Sequence, residues 1–242
     1  LCAPTFVFLA GVSVALYRRW RPGKDAVRFL LTRGLWLMLL EATWVSFAWY
    51  FHFEYTHLGI LWAIGGSMVL LGAVSWMPAR AVGLLGLGLT LLLHATPVPA
   101  DLGFLGFLCQ PNTVEILGHK FHQSYAIVPW FGVIACGYGF ADWISEPKKA
   151  RHLLWIGPAL VLLFVQLRLA NSYGDPAVWH PHTGPAWVTA AHFANPSKYP
   201  PSLMFQLLFL GISLTTLPLL ARWRGPSNRF LRVFGQVPMF FY

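Results

Sequence analysis

Seven long stretches with at most one Asp, Glu, Lys or Arg constrain this chain more than any other feature. They cover residues 1–17, 34–53, 55–79, 81–100, 121–141, 152–167 and 199–221, and Glu41 is the single exception. An α-helix needs about 20 mainly apolar residues to cross the hydrocarbon core of a bilayer. Only 10% of the 242 residues are charged, whereas soluble domains carry roughly 25%. These runs therefore predict an integral membrane protein.

The fold class that these runs predict is all-α, a polytopic transmembrane bundle of about seven complete spans. An eighth apolar run starts at Val233, and Leu1 stands inside the first run. We therefore expect residues 1–242 to form one transmembrane domain that is truncated at both ends. The glycines in AIGGSM, GLLGLG and GVIACGYG predict close helix packing through small residues.

Basic residues mark every second boundary between the apolar runs. Fourteen of the 17 lysines and arginines stand at 18–33, 80, 148–151 and 222–232. Short cytoplasmic loops are enriched in Lys and Arg, so we expect these boundaries to face the cytosol, in a bacterial inner membrane. Contact with anionic lipid headgroups then accounts for the net charge of +9, and the lipid bilayer rather than nucleic acid is the expected partner.

Two long loops, 95–124 and 171–198, fall on the predicted outer side and are rich in Trp, His, Pro and Gly. Loops of about 30 residues are usually functional or disordered, and this composition favours an ordered pocket. Two histidine pairs are candidate metal ligands, His119 with His122 and His180 with His182. No local motif supplies a third ligand to either pair, so no metal is expected.

Three charged residues fall inside or at the edge of predicted helices. Glu41 stands near the middle of the second run, where an acidic side chain costs about 2.5–3.5 kcal/mol on insertion. It is either a hydrogen-bonding anchor between helices or part of a cofactor or substrate path. Arg33 precedes it by eight residues on the predicted cytosolic side. Arg168 follows the sixth run within reach of Asp175, so we expect an ion pair, with cofactor binding as the alternative.

Seven blocks of this sequence resemble successive blocks of one bacterial family. That family is the domain-of-unknown-function group that shares a catalytic-domain profile with heparan-α-glucosaminide N-acetyltransferase. The blocks stand in family order across nearly the whole chain: LCAPTFVFLAGVSVAL, FLLTRGLWLMLLE, LWAIGGSMVLLGAVSWMP, IVPWFGVIACGYGF, LRLANSYGDPAVW, NPSKYPPSLMFQLL and FGQVPMFFY.

The resemblance implies a polytopic helical bundle with acetyl-CoA as co-substrate. In the characterised member, acetyl-CoA from the cytosol acetylates the amine of a terminal glucosamine on the far side of the membrane. The essential histidine of that enzyme lies in the outward loop between its first two helices. This chain is similar to the family from the second helix onward, so that histidine corresponds to no residue from Leu1 to Tyr242.

We therefore expect a membrane acetyltransferase that moves an acetyl group from cytosolic acetyl-CoA to an amino sugar or other envelope glycan. Such a reaction needs a base near the acceptor and donors for the developing oxyanion. Asp175 and His192 are the candidate acid–base residues, and Arg33, Glu41 and Arg168 are the candidate contacts to the donor. A transporter or a non-catalytic scaffold is the alternative, and inverted repeats, which would favour a transporter, are not evident. Assembly into a homo-oligomer stays open.

The stretch NPSKYPPS, 195–202, directly precedes the last apolar run. Pro200 and Pro201 fit the first turn of a helix, whose free N–H groups attract negative charge or electron-rich oxygen. We predict that this stretch lines the rim of a substrate cavity; alternatively, Lys198 and the neighbouring tyrosine only anchor the helix at the lipid interface. The predicted substrate-binding residues are Lys198, Tyr199, Ser202, Asn171 and Trp130.

Overall fold

A computed structural model describes residues 2–21, 23–51, 54–96, 98–181 and 183–222. Its helices are α1 (Cys2–Trp20), α2 (Lys24–Leu40), α3 (Ser46–Tyr50), α4 (Ile60–Val74), α5 (Ala79–Ala95), α6 (Gly103–Cys109), α7 (Ile127–Gly139), α8 (Ala141–Ser145), α9 (Pro147–Ala170), α10 (Ala186–Phe193) and α11 (Leu203–Arg222). A π-helical segment, Glu41–Val45, joins α2 to α3. The strands are β1 (Tyr55–Leu58), β2 (Asn112–Ile116) and β3 (His119–Gln123). The eighth run, predicted from Val233, lies outside the described residues.

Each of the seven apolar runs overlaps one of the longer helices, namely α1, α2 with its π-helical extension, α4, α5, α7, α9 and α11. Among the described helices, α9 with 24 residues and α11 with 20 are long and apolar enough to cross a membrane. Helices α4, α5 and α7 are apolar but shorter. Two candidate spans are therefore identified, and a bundle of seven complete spans stays a prediction.

The all-α prediction is wrong for the loops, because β1, β2 and β3 form a small sheet with β3 in the centre. Strand β3 pairs in parallel with β1 and antiparallel with β2. The turn between β2 and β3 places Leu117 at φ 53° and Gly118 at φ 80°. Positive φ at both central residues matches the right-handed twist of a two-residue hairpin. Backbone N–H and C=O groups of the three strands therefore pair across this sheet.

Helix α7 lies in the middle of the bundle, where it packs against α1, α4 and α5. Its Trp130 and Ile134 are fully buried and belong to the main hydrophobic core. Helix α2 packs on α4, and α9 pairs with α11. A second cluster around Phe164 and Met204 fills the contact between α9 and α11.

Glycines lie where these helices approach each other most closely. A methyl carbon added to Gly34 would lie 2.6 Å from the carbonyl oxygen of Gly65, across the contact between α2 and α4. One added to Gly157 would lie 2.6 Å from the carbonyl oxygen of Gly211, between α9 and α11. Small residues let helix backbones approach in this way, so the packing role predicted for the AIGGSM glycines is confirmed.

The two ends of the bundle differ chemically. At the basic end, as we call it, Arg18 donates to the hydroxyl of Tyr138 at 2.7 Å, and Arg19 forms an ion pair with Asp142. At the opposite end, the sheet end, the three strands lie with α6 and α10 between the helix termini. Most basic residues and the two long loops lie at opposite ends of the bundle, as the basic residues at every second boundary of the apolar runs predict. The cytosolic location of the basic end stays a prediction.

Candidate functional site

A buried aspartate and arginine organise the sheet end. Arg168, in the last turn of α9, donates from Nη1 to Asp175 Oδ2 at 3.1 Å, and each side chain is only 5% exposed. Ser197 donates to the same carboxylate through its backbone N at 3.0 Å and its Oγ at 2.5 Å. The backbone N of Ala177 donates to Oδ1 at 3.0 Å. The predicted ion pair between Arg168 and Asp175 is confirmed.

Ser202 connects this carboxylate to the start of α11. Its Oγ lies 3.4 Å from Asp175 Oδ2 and accepts a hydrogen bond from the backbone N of Phe205 at 3.1 Å. A serine that accepts from an N–H of the first helical turn caps that helix. The prediction that Pro200 and Pro201 occupy the first turn is therefore wrong, because both precede the capping serine.

A cavity of about 210 Å³ opens beside this network. Helix ends and both long loops contribute to its wall, and the polar side chains there belong to His94, Gln110, Asp175 and Ser202. Four prolines and the thiol-bearing Cys109 complete much of the remaining wall. The structure thus brings together two of the predicted site residues, Asp175 and Ser202, with a histidine that the sequence-based prediction did not include.

His94 lies in the last turn of α5 and is half-buried. Its Nδ1 lies 2.6 Å from the carbonyl oxygen of Thr90. Because a carbonyl only accepts hydrogen bonds, Nδ1 carries a proton, and in the neutral ring Nε2 holds the lone pair. A histidine at the end of an apolar run, directly before a long polar loop, was the feature that could have identified this residue.

Lys198 and Tyr199 form a cluster with Tyr125 next to the cavity prolines. The Nζ atom lies 4.9 Å from the ring centre of Tyr199 and 5.7 Å from that of Tyr125, and the two hydroxyls are 3.0 Å apart. Burial, together with the Tyr199 hydrogen bond, raises the pKa of Tyr125 to about 12. Burial lowers the pKa of Lys198, but its contacts with both tyrosines outweigh burial and raise it overall. The cluster therefore carries one positive charge at neutral pH.

Three other predicted residues lie outside the cavity wall as far as the described residues define it. Trp130 is fully buried, with its ring centre 5.3 Å from that of Tyr125. Asn171 holds the backbone of Trp179 through hydrogen bonds of 2.7 and 3.0 Å. His192 is exposed on α10, and its carbonyl oxygen is 3.5 Å from an Arg168 nitrogen. Their binding and acid–base roles stay predictions.

Glu41 is buried against the first turn of α4. Its Oε1 accepts from the backbone N of Gly59 at 2.9 Å, and its Oε2 accepts from that of Leu61 at 3.1 Å. N–H groups at a helix start lack partners within the helix, and the helix dipole favours a carboxylate there. The contacts are those of an anchor between helices, and a role of Glu41 in a cofactor path stays a prediction.

A larger cavity, of about 570 Å³, lies at the basic end. Arg18, Lys24 and Arg28 are among the residues of its mainly apolar wall. Arg33 is exposed on α2, with its guanidinium carbon 5.7 Å from the ring centre of Phe29, and it is not among the described residues of this wall. The sequence-based prediction of a donor site at this end named Arg33, whereas the cavity is lined by basic residues at the end of α1 and in the first turns of α2.

The sheet separates one pair of candidate metal ligands, His119 and His122. His119 and His122 stand three positions apart on β3, and such residues point to opposite faces of a strand. His119 Nε2 lies 2.9 Å from the hydroxyl of Thr56, and His122 pairs with His57 across the sheet, with ring centres 5.7 Å apart. Across the described part of the chain, no group of three or more His, Cys, Asp or Glu side chains could hold a metal. His182 lies outside that part.

Burial of His57 also affects its protonation. Its Nε2 lies 2.9 Å from the hydroxyl of Ser124, and its backbone N donates to the hydroxyl of Ser46 at 2.8 Å. Burial, and to a smaller extent the charge of His122, lowers the pKa of His57 below its usual value. This imidazole is therefore held in its neutral form.

The helices that carry Glu41, His94 and Arg168 fall within a known domain family. The model of the catalytic domain of heparan-α-glucosaminide N-acetyltransferase matches residues 1–171. The chain belongs to this family. The match ends at the C-terminus of α9, so Asp175 and Ser202 lie beyond it. No curated protein and no solved structure matches the chain.

Proposed function

We propose that this member of the N-acetyltransferase family is a membrane-integral enzyme that moves an acetyl group from cytosolic acetyl-CoA to an amino sugar or other glycan on the outer side. The family match over residues 1–171 carries the proposal, because it indicates an acetyltransferase-like function. Two cavities at opposite ends of the bundle support it, since the donor and the acceptor differ in charge and would approach from different sides.

The enzyme is proposed to lie in a bacterial inner membrane, and the surface of α9 supports a membrane location. This helix is 24 residues long, and only 22% of its apolar window is buried inside the bundle, whereas Trp155, Leu162 and Leu169 are exposed. A continuous apolar surface of this kind is typical of contact with lipid or with another protein. Lipid contact would satisfy these side chains without a further partner.

The cavity at the basic end suits the nucleotide part of acetyl-CoA. Its volume of about 570 Å³ falls within the usual range of ligand pockets, about 300–1,000 Å³. Arg18, Lys24 and Arg28 offer positive charge for the phosphates, and guanidinium groups bind phosphate oxygens in a bidentate manner. Arg33 would then contact acetyl-CoA at the edge of this cavity. Arg168 would instead stabilise the network at the sheet end through its ion pair with Asp175.

The cavity at the sheet end suits the acceptor. Lys198 and Tyr199 present a cation and a phenol to a sugar, close to the prolines of the wall, while the buried Ser202 holds the start of α11 beside the cavity. The oxygens of Asp175 already accept hydrogen bonds from the surrounding donors. In this arrangement Asp175 positions Ser202 and the loop rather than exchanging protons with the substrate.

Binding of acetyl-CoA to the full-length protein in detergent tests the proposed donor. Arg28→Gln removes one cavity cation and is expected to weaken binding about 10-fold or more, because a hydrogen bond to a charged group contributes roughly 1.5–3 kcal/mol. Arg80→Gln is the matched control, since Arg80 is exposed and absent from the described cavity wall. Arg33→Gln tests the position that the sequence suggested. No binding by the unaltered protein would contradict acetyl-CoA as donor, and equal binding by Arg28→Gln would contradict this cavity as its site.

A further inference from the structure

We propose that a third cavity, beside the edge strand β1, binds a neutral sugar ring of the acceptor glycan, one that does not itself receive the acetyl group. The cavity has a volume of about 390 Å³ and lies between the π-helical segment, α3, β1 and the start of β3. The sugar-binding site is inferred from the chemistry of this wall, whereas its place in acceptor recognition rests on the proposed function.

The wall of the third cavity combines aromatic rings with hydroxyl and imidazole groups. Five of its eight described residues carry a hydroxyl or an imidazole, namely Thr43, Ser46, Tyr55, Thr56 and His119. The other three are Ala42, Trp44 and Phe47, so the described wall contains no Asp, Glu, Lys or Arg. Ligand pockets are usually of this kind, about 300–1,000 Å³ in volume and mainly apolar, with a few polar groups that fix orientation. A neutral sugar ring matches the wall, because its C–H faces pack on aromatic rings while the hydroxyls at its edge form hydrogen bonds.

Trp44 is the aromatic platform of the site. Its side chain belongs to the wall of the cavity although it is 70% exposed, so the indole is open to a ligand. The face of an aromatic ring carries partial negative charge and attracts the positive edge of a C–H group. Trp49 lies five residues further on and is 65% exposed, but it is absent from the described wall. Both tryptophans suit a membrane interface, and of the two only Trp44 also faces this cavity.

The π-helical segment brings Trp44 into this wall and holds it there. Three consecutive wall residues, 42–44, belong to the segment Glu41–Val45, and single π-helical turns within α-helices are frequent at functional sites. The buried carboxylate of Glu41 fixes the start of the segment to the first turn of α4. The hydroxyl of Ser46, directly after the segment, accepts a hydrogen bond from the backbone N of His57 in β1 at 2.8 Å. The wall is therefore fixed on both sides, as a preorganised binding site requires.

Two threonines of the wall keep hydrogen-bonding capacity for a ligand. The hydroxyl of Thr56 lies 2.9 Å from Nε2 of His119, and the hydroxyl of Thr43 donates to the carbonyl oxygen of Leu39 at 2.7 Å. A hydroxyl has one donor hydrogen and two acceptor lone pairs, so one such contact leaves each oxygen able to bind a further partner. Sugar hydroxyls, which both donate and accept, suit groups of this kind.

Strand β3 extends from the third cavity to the sheet-end cavity. His119, at the start of β3, lines the third cavity. Gln123, at its end, donates through its side-chain amide to the carbonyl oxygen of Gln110, a residue of the sheet-end cavity. The four steps from His119 to Gln123 cover about 13 Å at a rise of about 3.3 Å per residue. One sugar ring is shorter than this distance, so an acceptor that occupies both cavities has several rings.

Calorimetric titration with chitotetraose, a neutral tetramer of N-acetylglucosamine, tests the site. The full-length protein is measured in a detergent without sugar headgroups. Trp44→Leu should weaken binding about 10-fold or more, because aromatic anchors commonly dominate a binding site; leucine can still contact lipid, but it offers no aromatic face. Trp49→Leu is the matched control and should bind as the unaltered protein does.

A pair of threonine variants tests the polar edge of the same site. Thr56→Val keeps the shape of the side chain and should weaken binding of chitotetraose about 2- to 10-fold, the usual effect of one lost hydrogen bond. Thr113→Val is its control, because Thr113 also pairs with a histidine of β3, His122 at 2.8 Å, but is absent from the described wall. No binding by the unaltered protein, or binding that Trp44→Leu leaves unchanged, would overturn the sugar site; the second result is expected if lipid fills the cavity.

Acetyl transfer to glucosamine and to a tetramer that ends in glucosamine tests the place of this site in acceptor recognition. Trp44→Leu should raise the KM for the tetramer about 10-fold and leave its kcat unchanged, because the contact is made equally in the ground and transition states. The KM for glucosamine alone should not change. An unchanged KM for the tetramer would overturn the role in acceptor recognition.

The failure of the sugar site is distinct from the failure of the proposed function. If chitotetraose binds in a manner that depends on Trp44 but no acetyl group is transferred, the proposed function is contradicted and the sugar site is supported. If the unaltered protein transfers acetyl groups and Trp44→Leu binds chitotetraose equally well, only the sugar site is contradicted.

Discussion

The Arg168 guanidinium and the Asp175 carboxylate form an ion pair of 3.1 Å with both side chains almost fully buried. The pair joins the end of α9 to the loop that follows, and Ser197 and Ser202 extend the contact to the start of α11. A loop with a single short helix is thereby held in one conformation. The position of the sheet-end cavity depends on this contact.

Asp175→Asn is expected to lower the free energy of unfolding by about 3–5 kcal/mol, because it leaves a buried guanidinium without its counterion. The thermal midpoint of the purified protein in detergent measures the effect. The double variant Arg168→Met/Asp175→Leu should be less destabilised than the sum of its single variants, since the two sites are directly coupled. Additive losses would show that the pair contributes nothing as a unit.

Glu41→Gln is expected to destabilise the protein by about 1–3 kcal/mol. The amide has one acceptor oxygen, so either Gly59 or Leu61 loses the partner of its buried N–H. Glu54→Gln, at an exposed glutamate of the same end, should leave the thermal midpoint unchanged. A stable Glu41→Gln protein that has lost acetyl-CoA binding would instead support a cofactor role for Glu41.

Gly157→Ala is expected to destabilise the contact between α9 and α11 by about 1–3 kcal/mol, the usual cost of overpacking. The added carbon would lie 2.6 Å from the Gly211 carbonyl oxygen and 2.7 Å from the Thr215 backbone N, and backbone atoms cannot move aside. Gly88→Ala provides the comparison, because no heavy atom lies within 4 Å of the added carbon in the middle of α5. That variant should be unchanged or more stable by about 0.5–1 kcal/mol. Equal midpoints for the two variants would contradict the close crossing.

His57 is expected to make the protein less stable as the pH falls. Its folded pKa is lower than the value of about 6.5 of an unfolded histidine, so the unfolded state binds more protons between the two values. The contribution is fully present above pH 6.5, decreases as the pH falls through the folded pKa, and is constant below it. Thermal midpoints between pH 5 and 8 measure this slope, which His57→Gln should flatten and His180→Gln should not.

The longer helices could be predicted from the sequence because each contains a long run with at most one charged residue. Runs of this length and composition are typical of membrane-spanning or buried helices. The glycine contacts also follow from composition, as Gly65 and Gly132 show. The hairpin was missed because its turn is Leu-Gly, and a leucine with positive φ lacks the Asn-Gly or Asp-Gly signal that marks such turns in a sequence. The pairing of β1 with β3 joins residues more than 60 positions apart, and no local pattern specifies it.

The site was only partly predictable for the same reason. Arg168 and Asp175 are seven residues apart, so their pairing was visible in the sequence. His94 lines the same cavity as Asp175 and Ser202 only because α5 and α9 end, and α11 begins, at the same side of the bundle. The start of α11 differed from the prediction because the serine after the two prolines, and not the prolines, provides the first-turn contact.

Acetyl transfer across a sealed membrane tests the central claim most directly. The full-length protein is reconstituted in liposomes with acetyl-CoA on the side of the basic end and glucosamine on the opposite side. The account predicts N-acetylglucosamine on the glucosamine side and free coenzyme A on the donor side. Product that forms only when both substrates share one side, or no product in either arrangement, would contradict it.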